Sequence, residues 1–166
     1  MHRSADISPC GRYRYTLRRE WPADLFCDSA TLGFIMLNPS TADADDDDPT
    51  VRKCIGFAKR FGFSAVTIWN LFAYRATDPA ELRRAKSAGI DIVGPDNTAA
   101  RLTKGFSDCG LVLCGWGAKG VEVDPARVAE VLSLLEEPMC LHVTTDGHPG
   151  HPLYLPYTSV VGKLYS

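Results

Sequence analysis

Short apolar runs that alternate with helix-forming segments constrain the fold of this chain more than any other feature. Residues 31–37 and 111–114 are nearly all apolar and residues 64–71 are mostly so, as expected for strands that are covered on both faces. A fourth such run covers residues 139–143. Because helix-forming segments separate these runs, we predict right-handed crossovers and a parallel sheet between two helical layers.

Two Asp-Pro pairs, at positions 48–49 and 78–79, mark the starts of two helices. The carboxylate of an aspartate caps the free N–H groups of a helix, and proline fits the first helical position. The first helix is predicted to end at Gly62, since glycine is common just past a helix end. Further helices are predicted over residues 97–106 and 125–135.

The chain of 166 residues is predicted to form a single α/β domain, 1–166, with its core over residues 13–155. It contains no internal repeat and no linker of biased composition. Residues 12–18 alternate between polar and apolar types, which predicts a half-exposed strand at the edge of the sheet. We therefore predict a three-layer α/β/α sandwich with a four-stranded, mostly parallel sheet plus this N-terminal edge strand.

Charge and hydropathy exclude several functional classes. No apolar run approaches the ~20 residues of a membrane helix, and no signal peptide is recognisable, so we expect a cytoplasmic protein without membrane contact. The net charge of −2 supplies no overall basic field for binding long duplexes. The arginines near the N-terminus, Arg14 and Arg19 among them, are expected to be solvated surface. The oligomeric state is left open.

Polar and glycine-rich residues follow each predicted core strand. In an open parallel sheet, ligands bind beyond the carboxyl ends of the strands. Those ends carry Asn38, Asn70, the glycine turn at 115–117 and a loop that holds His148 and His151. The sequence therefore predicts an active or binding site at this edge of the sheet.

The polar residues at the first two strand ends each have two interpretations. Asn38, Pro39 and Ser40 present an amide and a hydroxyl at a rigid strand exit, although all three are common turn residues. Asn70 either satisfies a backbone group, the usual role of a buried asparagine, or reads the edge of a planar ligand. Arg75 either holds a phosphate bidentately or forms a surface salt bridge.

The glycine turn and the histidine loop are the other candidates for ligand contact. The turn consists of Gly115, Trp116 and Gly117. Its two glycines permit either close approach of the backbone to a ligand or tight packing around the indole of the tryptophan. His148 and His151 lie in a proline-stiffened loop, where an imidazole serves as acid, base or neutral donor, or is simply solvated.

Four consecutive aspartates at positions 45–48 suggest a metal site or a capped loop. Carboxylates bind Mg²⁺, but usually one or two of them act together with substrate phosphates. A solvated loop in which Asp48 caps the following helix explains the run without a metal. We therefore expect neither a metal site nor a cofactor.

Six segments of the chain resemble one bacterial and phage family in order and spacing. They are LNPSTAD, DPTVRKC, NLFAYRATDP, GPDN, CGWGAKG and GHPLYL, and the resemblance runs from about residue 13 to residue 155, nearly the whole chain. The family they resemble is known as domain of unknown function number 1643. This resemblance implies no particular activity.

A more distant resemblance is to the uracil-DNA glycosylase superfamily, which carries four motifs in a fixed order. Residues 37–40 (LNPS) resemble the motif after its first core strand, and Asn70 matches its base-reading asparagine. Residues 114–117 (CGWG) resemble its Trp-Gly turn, and residues 151–154 (HPLY) resemble its His-Pro loop. This resemblance implies a fold of the same type.

The roles implied by this resemblance define the leading functional hypothesis. Asn38 would position the attacking water, Asn70 would read the base, and His151 would stabilise charge on the leaving base. The protein would then hydrolyse an N-glycosidic bond of a nucleobase-containing small molecule or a single-stranded nucleic acid. The alternatives are a non-catalytic nucleotide or nucleic-acid binding module and, third, a metal-dependent phosphoesterase built on residues 45–48.

Overall fold

The computed structural model describes residues 1–23, 28–40 and 46–165, which form one seven-stranded sheet and five α-helices. The strands are β1 (His2–Ile7), β2 (Arg14–Glu20), β3 (Asp28–Met36), β4 (Phe63–Asn70), β5 (Leu111–Cys114), β6 (Met139–Cys140) and β7 (Gly162–Lys163). The helices are α1 (Pro49–Arg60), α2 (Pro79–Ser87), α3 (Ala99–Ser107), α4 (Lys119–Val123) and α5 (Pro125–Leu132), and a 3₁₀ turn covers Pro152–Tyr154. No helix within these ranges is both long and apolar enough to cross a membrane.

The strands lie side by side in the order β1-β2-β4-β3-β5-β6-β7. The central four, β4, β3, β5 and β6, are parallel, and they are the four strands that the apolar runs predict. The outer strands β1, β2 and β7 pair antiparallel. The predicted α/β class is therefore confirmed, whereas the prediction of a four-stranded sheet with one edge strand is wrong in its strand count.

The two strands that the sequence did not indicate lack the apolar pattern of a buried strand. β1 is mostly polar and contains no buried residue, and β7 contains only two exposed residues. β2 corresponds to the strand predicted over residues 12–18, but β1 pairs outside it and takes the edge position. Both missed strands form because the free backbone N–H and C=O groups at a sheet edge can pair with a further strand. No local sequence pattern indicates such pairing.

Apolar side chains cover both faces of the sheet. Along β3, Phe34 belongs to the cluster that includes Phe57 of α1, whereas Ile35 belongs to the cluster that includes Leu102 of α3. Successive side chains of a strand point to opposite faces, so one nearly all-apolar run serves both clusters. Helix α1 covers the first face, and α2, α3 and α5 cover the second.

Both helix starts predicted from the Asp-Pro pairs are confirmed. The Asp48 side chain accepts a hydrogen bond of 2.8 Å from the backbone N–H of Val51, and Asp78 accepts one of 2.8 Å from Ala80. Such caps typically contribute about 1 kcal/mol to helix stability. Gly62 follows α1 with a φ of 80°, a conformation that glycine adopts without a steric penalty.

The direction in which the sheet grows reverses at β3. The chain passes from β3 through α1 to β4 on one side, and later through α2 and α3 to β5 on the other side of β3. The loops that leave the carboxyl ends of β3 and β5 therefore run to opposite faces of the sheet. Such a switch point leaves a crevice between the two loops, where open α/β sheets bind their ligands.

Candidate functional site

A cavity of about 600 Å³ lies at the carboxyl ends of β3, β4 and β5, where the sheet topology places a crevice. Its volume is in the range of about 300–1,000 Å³ that is typical of small-molecule sites. Six of the ten residues that the sequence singles out line this cavity. They are Asn38, Ser40, Asn70, Trp116, Gly117 and His151.

Two other predicted residues, Pro39 and Gly115, do not line the cavity but hold its walls together. The carbonyl of Pro39 accepts hydrogen bonds from the Asn38 side chain and from the backbone of Ala76. A Cβ on Gly115 would lie 3.0 Å from Pro152 and 3.1 Å from the sulfur of Met36. The absence of a side chain at Gly115 thus lets the histidine loop pack against the end of β3.

Arg75 and His148 lie outside the cavity wall. The guanidinium of Arg75 donates to the carbonyl of Gly11 at 3.1 Å. The backbone N–H of His148 donates to the Thr144 hydroxyl at 3.0 Å, within the turn that precedes His151. Of the two histidines in the loop, the structure places only His151 against the cavity.

Asn70 is the most informative side chain of the site. It is 2% exposed, and neither its Nδ2 nor its Oδ1 forms a hydrogen bond with any residue that the structure describes. A buried amide without partners costs about 1–3 kcal/mol, so such groups are rare away from functional sites. Because Asn70 lines the cavity, an amide without a hydrogen-bond partner among the described residues lies at the cavity wall.

The backbone around Asn70 is held by two buried polar side chains from other elements. Asn97 donates to the carbonyls of Asn70 at 3.1 Å and Leu71 at 3.2 Å. Arg127 of α5 donates to the carbonyls of Leu71 and Asn97, both at 2.9 Å. The backbone at the end of β4 is therefore held in place without any contribution from the Asn70 amide.

The orientation of the Asn38 amide is determined by two carbonyl groups. Its Nδ2 donates to the carbonyls of Ala76 at 2.7 Å and Pro39 at 3.1 Å. Since a carbonyl oxygen can only accept, the amide nitrogen must face both, and Oδ1 lies on the other side. Asn38 lines the cavity, and these two hydrogen bonds hold its amide rigidly.

The ring of His151 is held in one tautomer. Its Nδ1 accepts a hydrogen bond of 3.3 Å from the backbone N–H of Leu153, so in the neutral ring the proton resides on Nε2. Burial lowers the pKa of His151 below the ordinary value of 6.5, and the charge of Asp48 opposes this effect only in part. At neutral pH the cavity therefore contains a neutral imidazole that donates from Nε2.

The cavity wall also contains charged residues that are not among the ten site residues predicted from the sequence. Asp48, interpreted from the sequence as a helix cap or as part of a phosphoesterase metal site, lines the cavity and accepts a 2.6 Å hydrogen bond from the Ser40 hydroxyl. Arg14 and Lys119 line it as well. The expectation that Arg14 and Arg19 are solvated surface is wrong, since they are 3% and 0% exposed. The neighbouring strands of the sheet bury these two arginines, and the sequence pattern of β2 does not indicate that burial.

Asp47 and Asp48 have separate partners. Asp47 accepts from Arg19 at 2.7 Å and from Arg3 at 3.2 Å, and Asp48 caps α1. Asp45, the first aspartate of the run, lies outside the described residues. Among the residues that are described, no group of three or more His, Cys, Asp or Glu side chains could hold a metal ion.

Replacing Gly120 by alanine is expected to disturb the cavity wall. The new Cβ would lie 2.6 Å from Cδ1 of Trp116 and 2.9 Å from Leu71, so the indole must move. Overpacking of this kind costs about 1–3 kcal/mol, measurable by chemical denaturation, and ligand affinity should fall with it. Gly162→Ala is the control, since a Cβ there would meet nothing within 4 Å. Equal stability of the two variants would contradict this prediction.

Comparison with known proteins identifies a family but no activity. The family described as "Protein of unknown function (DUF1643)" matches residues 14–153, a range that contains Asn38, Asn70 and His151. No curated protein and no solved structure matches the chain, so the resemblance to the uracil-DNA glycosylase superfamily gains no support. Because the match covers most of the sequence, the protein belongs to the DUF1643 family of proteins of unknown function.

Proposed function

We propose that the protein hydrolyses the N-glycosidic bond of a nucleobase-containing substrate bound in this cavity. The observation that carries the proposal is the buried amide of Asn70, which has no partner among the described residues and lines the cavity. One amide offers a donor and an acceptor side by side, and the edge of a nucleobase presents the same pair. Base recognition would recover the desolvation cost that this amide incurs in the ligand-free protein.

Asn38 supplies the group that positions the attacking water. Its acceptor oxygen is rigid because its nitrogen is bound to the carbonyls of Ala76 and Pro39. A water that donates to this oxygen is oriented before the reaction begins, which removes much of the entropic barrier. We assign the proton released by the water to Asp48, the carboxylate of the cavity wall.

His151 stabilises the leaving base. The water oxygen forms a bond to the anomeric carbon, the C–N bond breaks, and its electron pair remains on the base. A neutral Nε2–H donor held in place by Leu153 compensates this developing negative charge without reorganisation during the reaction. The base leaves as an anion and takes up a proton from solvent, so the products are the free base and a sugar with a hydroxyl at the anomeric carbon.

Mass-spectrometric detection of free base tests this function directly. The protein is incubated with nucleosides, nucleotides, and single- and double-stranded DNA that contain normal and modified bases. We expect release of a base from at least one of these substrates. If binding is seen by thermal shift but no base is released from any substrate, hydrolysis is wrong and the protein is a non-catalytic nucleotide-binding module.

The pH dependence of kcat/KM should report the protonation state of His151. Burial lowers its pKa below 6.5, so the neutral ring predominates above pH 6.5, and kcat/KM should not rise as the pH falls from about 8 toward 6.5. Activity should decline only below pH 6.5, as the ring gains a proton. The free energy of unfolding should also fall as the pH drops below 6.5. The reason is that the histidine has the higher pKa in the unfolded chain, which therefore takes up the proton first. An activity that falls as the pH rises above 6.5 would show that the imidazolium acts as a general acid.

A further inference from the structure

Helix α1 carries four basic residues and no acidic residue, although the protein has a net charge of −2. The basic residues are Arg52, Lys53, Lys59 and Arg60. Their spacing places them on one stripe of the helix, opposite the buried residues Cys54, Phe57 and Ala58. We call this stripe the basic face of α1.

Within the described part of the chain, no side chain of the basic face forms a salt bridge with a carboxylate. Basic residues on other helices do, as in the pairs Arg83–Glu122 at 3.1 Å and Lys86–Asp124 at 2.8 Å. The nearby carboxylate of Asp47 is already bound to arginines of β1 and β2. The basic face is therefore a local positive surface on a protein that is slightly negative overall.

Aromatic side chains connect the basic face to the cavity. The 3₁₀ turn that ends at Tyr154 packs against α1, and Tyr154 lines the cavity although it is 82% exposed. Tyr157 packs on Phe57 of α1, with the ammonium of Lys53 4.1 Å from its ring centre. The guanidinium of Arg60 donates to the carbonyl of Tyr157. Exposed aromatic and basic groups thus form one surface that begins at the cavity.

We propose that this surface binds a single-stranded polynucleotide and directs one of its bases into the cavity. Cations bind the phosphates of such a strand, and exposed tyrosines stack on its bases regardless of sequence. The bases of a duplex are stacked and paired, so they must be unstacked and unpaired, at an energetic cost, before they reach Tyr154 or Asn70. The delivery of a base rests on the proposed function, whereas the binding of the strand does not.

Fluorescence anisotropy with a labelled single strand of about ten nucleotides, as DNA and as RNA, tests the proposal. The double variant Lys53→Glu/Arg60→Glu should bind at least tenfold more weakly than the wild type at low salt. Loss of two phosphate contacts should also reduce the slope of log affinity against log salt by about 1.4. Tyr154→Ala, a change at a highly exposed side chain that should leave the fold intact, should weaken binding at least fivefold.

The matched control is Arg84→Glu/Lys104→Glu, which changes the net charge equally on exposed positions of α2 and α3. This control should bind the strand within twofold of the wild type. Equal losses in the two double variants, or a duplex that binds as tightly as the single strand, would overturn the proposal. Base release from free nucleotides without any strand binding would overturn it while leaving the proposed hydrolysis intact. Strand binding without base release would overturn the proposed hydrolysis while leaving the strand-binding proposal intact.

Discussion

The Asn70→Leu variant is expected to unfold at a higher temperature than the wild type and to lose binding of nucleobase ligands. Asn70 is buried, and its amide has no hydrogen-bond partner among the described residues. Replacing such a group by an apolar side chain of similar size removes a desolvation cost of about 1–3 kcal/mol. For a chain of this length, each kcal/mol raises Tm by about 2–4 °C.

The matched control for this prediction is the same substitution at Asn97. Asn97 is also buried, but its amide donates to the carbonyls of Asn70 and Leu71. Asn97→Leu leaves these carbonyls without that donor and should lower stability by about 1–3 kcal/mol. Thermal unfolding and ligand titration of both variants provide the measurement. If Asn70→Leu lowers Tm and binds ligand normally, the amide of Asn70 has a structural role only.

Replacing Asn38 by alanine should reduce base release by about 10²–10⁴-fold, the usual contribution of a group that orients or activates a reacting water. The acceptor oxygen of Asn38 is lost, so the water is no longer held in position. Substrate affinity should change little, because Asn70 rather than Asn38 reads the base. Single-turnover kinetics at saturating substrate report the rate of base release without a contribution from substrate affinity.

Asn38→Ala also removes the hydrogen bonds to the carbonyls of Ala76 and Pro39, so a second variant is required. Asn38→Asp loses the same two donors but retains an acceptor oxygen for the water. It should therefore release base faster than Asn38→Ala at comparable stability. Equal rates for the two variants would show that Asn38 acts on the loop rather than on the water.

Much of the central sheet could be predicted from local patterns. The runs at 31–37 and 64–71 correspond to β3 and β4, because an apolar run of this length has no other way to be covered on both faces. The run at 139–143 forms only the two-residue strand β6, since the loop that follows pairs Val143 with Pro149 instead. A local pattern thus indicates that a strand exists more reliably than how far its pairing extends.

The sequence by itself determined the parallel core, the capped helix starts and the location of polar residues at the strand ends. These features depend on neighbours within a few positions along the chain. Only the tertiary structure decided that His151 rather than His148 lines the cavity and that Arg14 joins it. It also decided that the buried amide of Asn70 has no hydrogen-bond partner among the described residues. The partners that decide such questions come from distant segments, as Asn97 does for the end of β4, and local spacing carries no information about them.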